Sequence, residues 1–204
     1  MDTRARILSN ASRLFAERGF KGTTTRAIGE AAGCNVATIA WHFKDKQGLY
    51  DACLSAMYER MLALERPIQL PDDPRERVRT LVRFVFAFML EHRDHVRLMQ
   101  RHLLERGRVP ELVSSNYTAA LLARGAEWMA LLQLPPDRDL RLVLLDLNHL
   151  VNRYVLSEPE DLALFIDGDD VFEQLAEHLA EVAVTLLLES PPGLSRSRSA
   201  SASS

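Results

Sequence analysis

The stretch GCNVATIAWHFKDKQGLY, residues 33–50, decides how the chain is read. Its centre, Val36 to Phe43, has the length of two helical turns and is apolar on almost every side. A helix that short is marginal in water, because nucleation costs more than two turns of hydrogen bonds return. It needs neighbours. Ile39 and Phe43 lie four residues apart and share one face, so they supply the inward anchor. Asn35 stands where an N-cap residue is wanted, and Asp45 can cap a longer helix running to about Leu64. Why Trp41 and His42 sit on such a fragment, with Lys44 and Lys46 immediately after it, is the question the rest of the chain must answer.

Working outward, helical periodicity dominates and strand-like alternation is almost absent. Upstream, Ile7, Leu8, Ala11, Leu14 and Phe15 recur at the spacing of one buried helical face across residues 3–18. Gly19 follows where a left-handed C-terminal cap is wanted. Thr23 and Thr24 are natural N-cap residues for a short helix from Thr25 to Ala32, which Gly33-Cys34-Asn35 ends. Downstream, RPIQLPDDP (residues 66–74) is a connector with three prolines. Beyond it, strongly apolar helices are expected at about 74–91, 94–106, 110–132, 137–157 and 169–189. The last fourteen residues, PPGLSRSRSASASS, are low in complexity and read as a disordered tail. The fold class is therefore all-α: three short helices, a linking helix and a five-helix bundle.

Bulk properties narrow the function. Apolar residues make up 47% of the 204, enough for a real core, and the formal charge is -3. That charge is uneven: residues 1–55 hold eight Lys/Arg against five Asp/Glu, so a basic head precedes an acidic body. Any polyanionic partner should meet the head. Cys34 and Cys53 give neither a disulfide framework nor a metal-ligand quartet, and a reducing cytoplasm is the economical location. The first twenty residues are too charged for a signal peptide, and no run reaches the roughly 18 apolar residues that span a bilayer. His92, His95 and His102 invite a metal, but their spacing supplies no convergent set, and they read as a solvated helix end. No nucleophile–base pair or Gly-rich phosphate loop is visible, so no enzyme and no cofactor is expected.

Two short helices joined by a tight Gly-containing turn form a helix-turn-helix, whose second helix lies in the major groove of DNA. The residues are more telling than the spacing. LFAERGF, GTT-R-I--AAG, N-AT and HFKDK--LY fall in register over Ile7 to Leu54 without a gap. This quarter of the chain resembles the N-terminal domain of the tetracycline-repressor-like (TetR/AcrR) transcriptional regulators. The helices beyond it agree with that family in number and length.

On that resemblance, Ile7, Leu14, Phe15, Phe20, Ile28, Ala31, Ile39, Phe43 and Leu49 form the small core that clamps the reading helix. Arg26 falls at a position that reaches a base edge or phosphate, and arginine can bond guanine bidentately. Thr24 and Thr25 place a hydroxyl and free N–H groups at a helix N-terminus, a phosphate cradle. Asn35, Val36, Ala37, Thr38 and Ala40 open the reading helix. Ala40 departs from the family pattern, in which a tyrosine often stands, so base specificity does not transfer. Trp41 and His42 match an aromatic–His pair that contacts phosphates, although burial of Trp41 against the first helix is the alternative. Lys46 fills the family's lysine position, and its charge complements phosphate without regard to sequence.

The resemblance implies a homodimer on a palindromic double-stranded operator, released by a small-molecule inducer. The dimer faces would be helices 137–157 and 169–189. In the latter, Val171, Phe172, Leu175, Leu179, Val182, Leu186 and Leu187 form one stripe, which Ala183, Val184 and Leu188 widen. Candidate pocket residues are Phe88, Met99, Leu103, Trp128 and Met129, for which packing in the core is the alternative, with Asn148 and Asn152, which either line the pocket, pair across the dimer or satisfy a buried turn. The expected division is a DNA-binding domain over 1–50, a ligand-binding and dimerisation domain over 51–190, and the tail over 191–204. A transcriptional activator of the same fold is the alternative, with a helical adaptor or an enzyme more distant. A redox role for Cys34 competes with simple packing of a small thiol.

Overall fold

A computed structural model describes residues 2–62, 69–106, 130–134, 140–168 and 170–189. The described residues are helices and connecting turns, matching the all-α expectation. In chain order these are α1 (Thr3–Gly22), α2 (Thr25–Ala32), α3 (Val36–Phe43), α4 (Lys46–Leu62), α5 (Pro74–Glu91), α6 (Arg93–Arg106), α7 (Arg141–Leu156), α8 (Pro159–Leu162) and α9 (Val171–Val184). A π-helical turn, Thr185–Glu189, continues α9. The helix expected over 110–132 and the tail over 191–204 lie almost wholly outside the described residues. The four-residue α8 was not anticipated.

The chain clusters into two compact units, residues 1–67 with 88–128, and residues 68–87 with 129–204. The division expected near residue 50 is a proposal, and these units are not drawn along it.

In the first unit, local chemistry sets each boundary. α1 breaks at Gly19, whose φ of 71° and ψ of 174° suit glycine alone. The buried Thr23 hydroxyl donates to the carbonyls of Leu14 (3.1 Å) and Gly19 (2.9 Å), tying down that break. Thr24 is the N-cap of α2 and accepts from the Ala27 amide at 3.1 Å. Gly33 closes α2 in the left-handed conformation. Asn35 caps α3 by accepting from the Thr38 amide at 2.8 Å, and Asp45 accepts from the Gly48 amide at 2.8 Å as α4 begins. A close approach joins α2 to the turn before α3: a Cβ on Gly29 would stand 2.7 Å from the Cys34 carbonyl oxygen.

The core of this unit gathers Ile7, Leu14, Phe15, Ile28, Ile39, Phe43, Leu49, Tyr50, Leu54 and Leu98, with Phe20 packed at its margin. One expected member is corrected. Ala31 is exposed and Ala32 is buried in its place. Ile28 and Ala32 are four apart and stack on one face, which turns Ala31 outward.

The second unit has its own core, including Val78, Leu81, Leu132, Leu147, Ala183, Val184 and Leu187. Arg75, Arg79 and Arg83 recur every four residues on α5 and pair with Glu189, Glu181 and Glu177. Arg77, one turn-face away, is buried and donates to the carbonyls of Pro71 (3.1 Å) and Asp72 (2.9 Å), holding the entry to α5.

Candidate nucleic-acid interface

Ile39 and Phe43 are buried, 1% and 7% exposed, so α3 is bolted inward at two points. The opposite face is bare: Val36, Ala37, Ala40 and Trp41 are all exposed. Trp41 is 81% exposed, which overturns its alternative burial against α1. Its ring lies 4.5 Å from that of the half-buried His42, in an edge-on arrangement. A large aromatic group left in water on a rigid helix is the kind of exposure that needs explaining.

Polar groups around this face are arranged but not consumed. Asn35 Oδ1 also accepts from the Thr38 hydroxyl at 2.9 Å, which aligns both side chains at the start of α3. Arg26 is exposed on α2 and pairs with Glu30 at 3.1 Å, one turn along. Such a solvated pair is weak, so a stronger anion could take the guanidinium. Thr25 is half-buried beside it.

After α3, the Asp45 amide donates to the Phe43 carbonyl at 2.9 Å around Lys44, whose φ is 71° and ψ -60°. This is a tight γ-turn, an uncommon and strained conformation for a lysine. It presents Lys44 to solvent. Lys46 then places its ammonium 4.3 Å from the centroid of the Phe20 ring, a cation–π contact that steadies the charge while leaving it half-exposed.

Two residues that the sequence reading did not single out support the same surface. Arg4 stacks over the Phe43 ring at 5.4 Å. Arg6 Nε donates to the Ala32 carbonyl at 2.7 Å, satisfying an orphan acceptor at the end of α2. The signal available was only an Arg-x-Arg at the start of α1.

Behind the interface, α6 packs on α1 and α4, and the three histidines are not a solvated helix end. His95 is buried and shares a hydrogen bond of 3.2 Å with the buried Ser12 hydroxyl of α1. Tyr50 of α4 and His102 share another of 3.2 Å. His92 is half-buried, with its ring 4.5 Å from that of Phe88. Burial pushes the His95 pKa down to about 4, assisted by the nearby charge of Arg60 and by His92. His92 is also lowered, chiefly by burial. Arg101 donates to the carbonyls of Ala16 (2.8 Å) and Glu17 (3.0 Å), just before the Gly19 break. Burial pushes the Cys53 thiol up to about 12, so it stays protonated, while Cys34 is half-buried.

The proposed pocket residues are divided. Phe88, Met99 and Leu103 are half-buried in the first unit, with Met99 against its core. Asn148 and Asn152 are on α7 in the second unit, where the Asn152 amide donates to the Asn148 carbonyl at 2.7 Å and its side-chain oxygen at 3.1 Å. Trp128 and Met129 lie outside the described residues.

Residues 7–53 match the family described as bacterial regulatory proteins, tetR family. The chain is 31% identical over 98 residues to the HTH-type transcriptional repressor KstR2 of Mycobacterium tuberculosis, covering 48% of this chain and 49% of that one. It is 29% identical over 120 residues to the HTH-type regulator YttP of Bacillus subtilis, covering 57% and 58%. The chain thus spans about half the length of these relatives. A TetR-family transcription regulator from Marinobacter aquaeolei has a similar fold, with a TM-score of 0.64 at 21% identity over 91% of this chain and 95% of that one. At that identity the likeness is one of fold.

Proposed function

We propose that this chain, whose residues 7–53 match the tetR family of bacterial regulatory proteins, is a ligand-responsive repressor that binds a palindromic operator as a homodimer. The observation that carries this reading is the outward face of α3. Its backbone is fixed by Ile39 and Phe43, and it offers Val36, Ala37, Ala40 and an 81% exposed Trp41 between the cations of Arg26, Lys44 and Lys46. Small apolar side chains allow close approach to base edges and can touch thymine methyl groups. Thr24, Thr25, Trp41, His42 and Lys46 serve the phosphates, which position the helix without reading sequence.

One reading helix covers too few base pairs for a unique site, so a two-fold pair is needed. Exposed apolar groups on α7 support pairing of α7 and α9 across the two-fold. Leu142 and Leu145 of α7 are 72% and 47% exposed, while Val182 of α9 and Leu186 of the turn after it are half-buried with one side on the core of this unit. A small-molecule inducer would bind in the part of the chain expected to hold ligand, residues 51–190. It would act by shifting α4 and so the spacing of the two reading heads. By reciprocal linkage, an inducer that weakens DNA binding is itself bound more weakly by the DNA complex. Activation instead of repression uses the same protein, since the sign depends on where the operator lies.

Selection of bound duplexes from a random library tests the reading. Two inverted half-sites about one helical turn apart are expected. Recovery of no common sequence, or of a single half-site, overturns it. Trp41→Ala should weaken binding by about tenfold, the loss of one ordered backbone contact. Its melting temperature should not change, because the ring packs on no core.

A further inference from the structure

The second unit contains a cleft that none of the proposed pocket residues line. It encloses about 550 Å³ between the end of α7, the α8 turn and the first half of α9. Its floor is apolar, made by the buried Leu162 and Leu175 with half-buried Ile166. Aromatic groups wall it: Tyr154, the 87% exposed Phe165, and His178, whose ring stands edge-on 6.5 Å from Tyr154. Asp167 supplies the carboxylate in this lining, and the Gln174 amide donates to the Asp167 backbone carbonyl at 2.7 Å. The loop that carries Asp167 is therefore pinned to α9 rather than free.

We propose that this cleft binds an amphipathic organic cation: an apolar or aromatic body with one amine or quaternary ammonium group. The volume suits a small molecule, within the few hundred to a thousand Å³ usual for such sites. Aromatic faces attract a cation through the ring quadrupole, and a carboxylate adds a direct counter-charge. The surrounding charge has the same sign. Among the described residues from Ser157 to Glu177 are Glu158, Glu160, Asp161, Asp167, Asp170, Glu173 and Glu177, with no Lys or Arg. Glu177 is paired with Arg83, Asp170 caps α9 and Glu158 is engaged elsewhere, so they contribute least. Arg153, on the last turns of α7, is the nearest cation along the chain and is exposed. An anionic ligand of the same shape would meet this field and be repelled.

The test is calorimetric titration of the full chain with 4-phenylbutylammonium and with 4-phenylbutyrate, which share an apolar body and carry opposite charges. The cation should bind saturably at one site per chain, about tenfold or more tighter than the anion, and more weakly as salt rises. Asp167→Asn should weaken the cation by about fivefold and narrow the gap to the anion. Phe165→Ala should weaken both ligands. Both side chains are exposed, so circular dichroism should find both variants folded. Equal binding of the two ligands, absence of saturation, or indifference to both substitutions overturns the proposal. So does a Phe165→Ala variant that changes the oligomeric state in sedimentation while leaving cation binding untouched, because the cleft would then be covered by a second copy. None of these readouts depends on DNA, so the site fails or stands apart from the reading of α3.

Discussion

His95 should make the first unit sensitive to acid, and the size of the effect follows from its surroundings. The side chain is 8% exposed, bonded to Ser12 of α1, and faces the positive Arg60 of α4 and the ring of His92. Folded, its pKa is about 4; unfolded, it returns to 6.5. Because the folded pKa is depressed, the unfolded chain holds more protons between these values. Stability from His95 is therefore complete above pH 6.5 and is lost as pH falls towards 4. The loss amounts to about 2 kcal/mol at pH 5 and levels off near ~3 kcal/mol below pH 4. Carboxylates also titrate in this range, so the measurement is a difference. Urea unfolding at pH 7.5 and pH 5, for the native chain and for His95→Gln, isolates the contribution of His95. Glutamine can still bond Ser12 but does not titrate. The native chain should lose about 2 kcal/mol more than the variant. Equal losses, or a His95 ring that titrates by NMR near 6.5, would refute the reasoning.

Other substitutions probe the interface. Lys46→Ala should weaken all DNA sequences alike and reduce the salt slope of binding by roughly one, measured by anisotropy across a salt series. Loss confined to one operator, with random DNA unaffected, would count against a phosphate role. Asn35→Ala removes the acceptor for both the Thr38 amide and its hydroxyl, and should lower stability by about 1 kcal/mol in a denaturant titration. Gly29→Ala would press a methyl group to within 2.7 Å of the Cys34 carbonyl, and should destabilise by roughly 1–3 kcal/mol. An unchanged melting temperature would mean that α2 and the turn can part without cost.

How far the sequence foretold these features depends on the reach of the interactions. Helix boundaries in residues 2–62 were legible because Thr24, Asn35 and Asp45 each bond an amide three residues on. Local rules suffice there. Ala31 was misplaced because two adjacent alanines look alike until a neighbouring helix chooses a face. The histidines were misread for a different reason. The partner of His95 is 83 residues away, and that of His102 is 52 away. On a polar, arginine-rich helix such as α6, nothing local distinguishes a histidine that enters a core from one that meets water. The Arg75–Arg79–Arg83 ladder was unreadable on the same ground, since Glu181 lies 102 residues from Arg79.

That difference in reach bears on how the proposed reading head would be controlled. The outward face of α3 is built almost entirely from local caps and two anchors, so it can persist as a rigid surface. What holds α6 to the head is non-local: the Ser12–His95 and Tyr50–His102 bonds, and Arg101 on the carbonyls before the Gly19 break. Of these the Ser12–His95 bond is buried, so a small shift of α6 that broke it would leave buried groups unpaired, at a cost of about 1–3 kcal/mol. A displacement of α6 would thus be resisted sharply or transmitted whole to α1 and α4, rather than absorbed gradually. A regulator of the proposed kind would need that property in the part of the molecule that supports α3, and the residues that confer it are the ones with the least local signature.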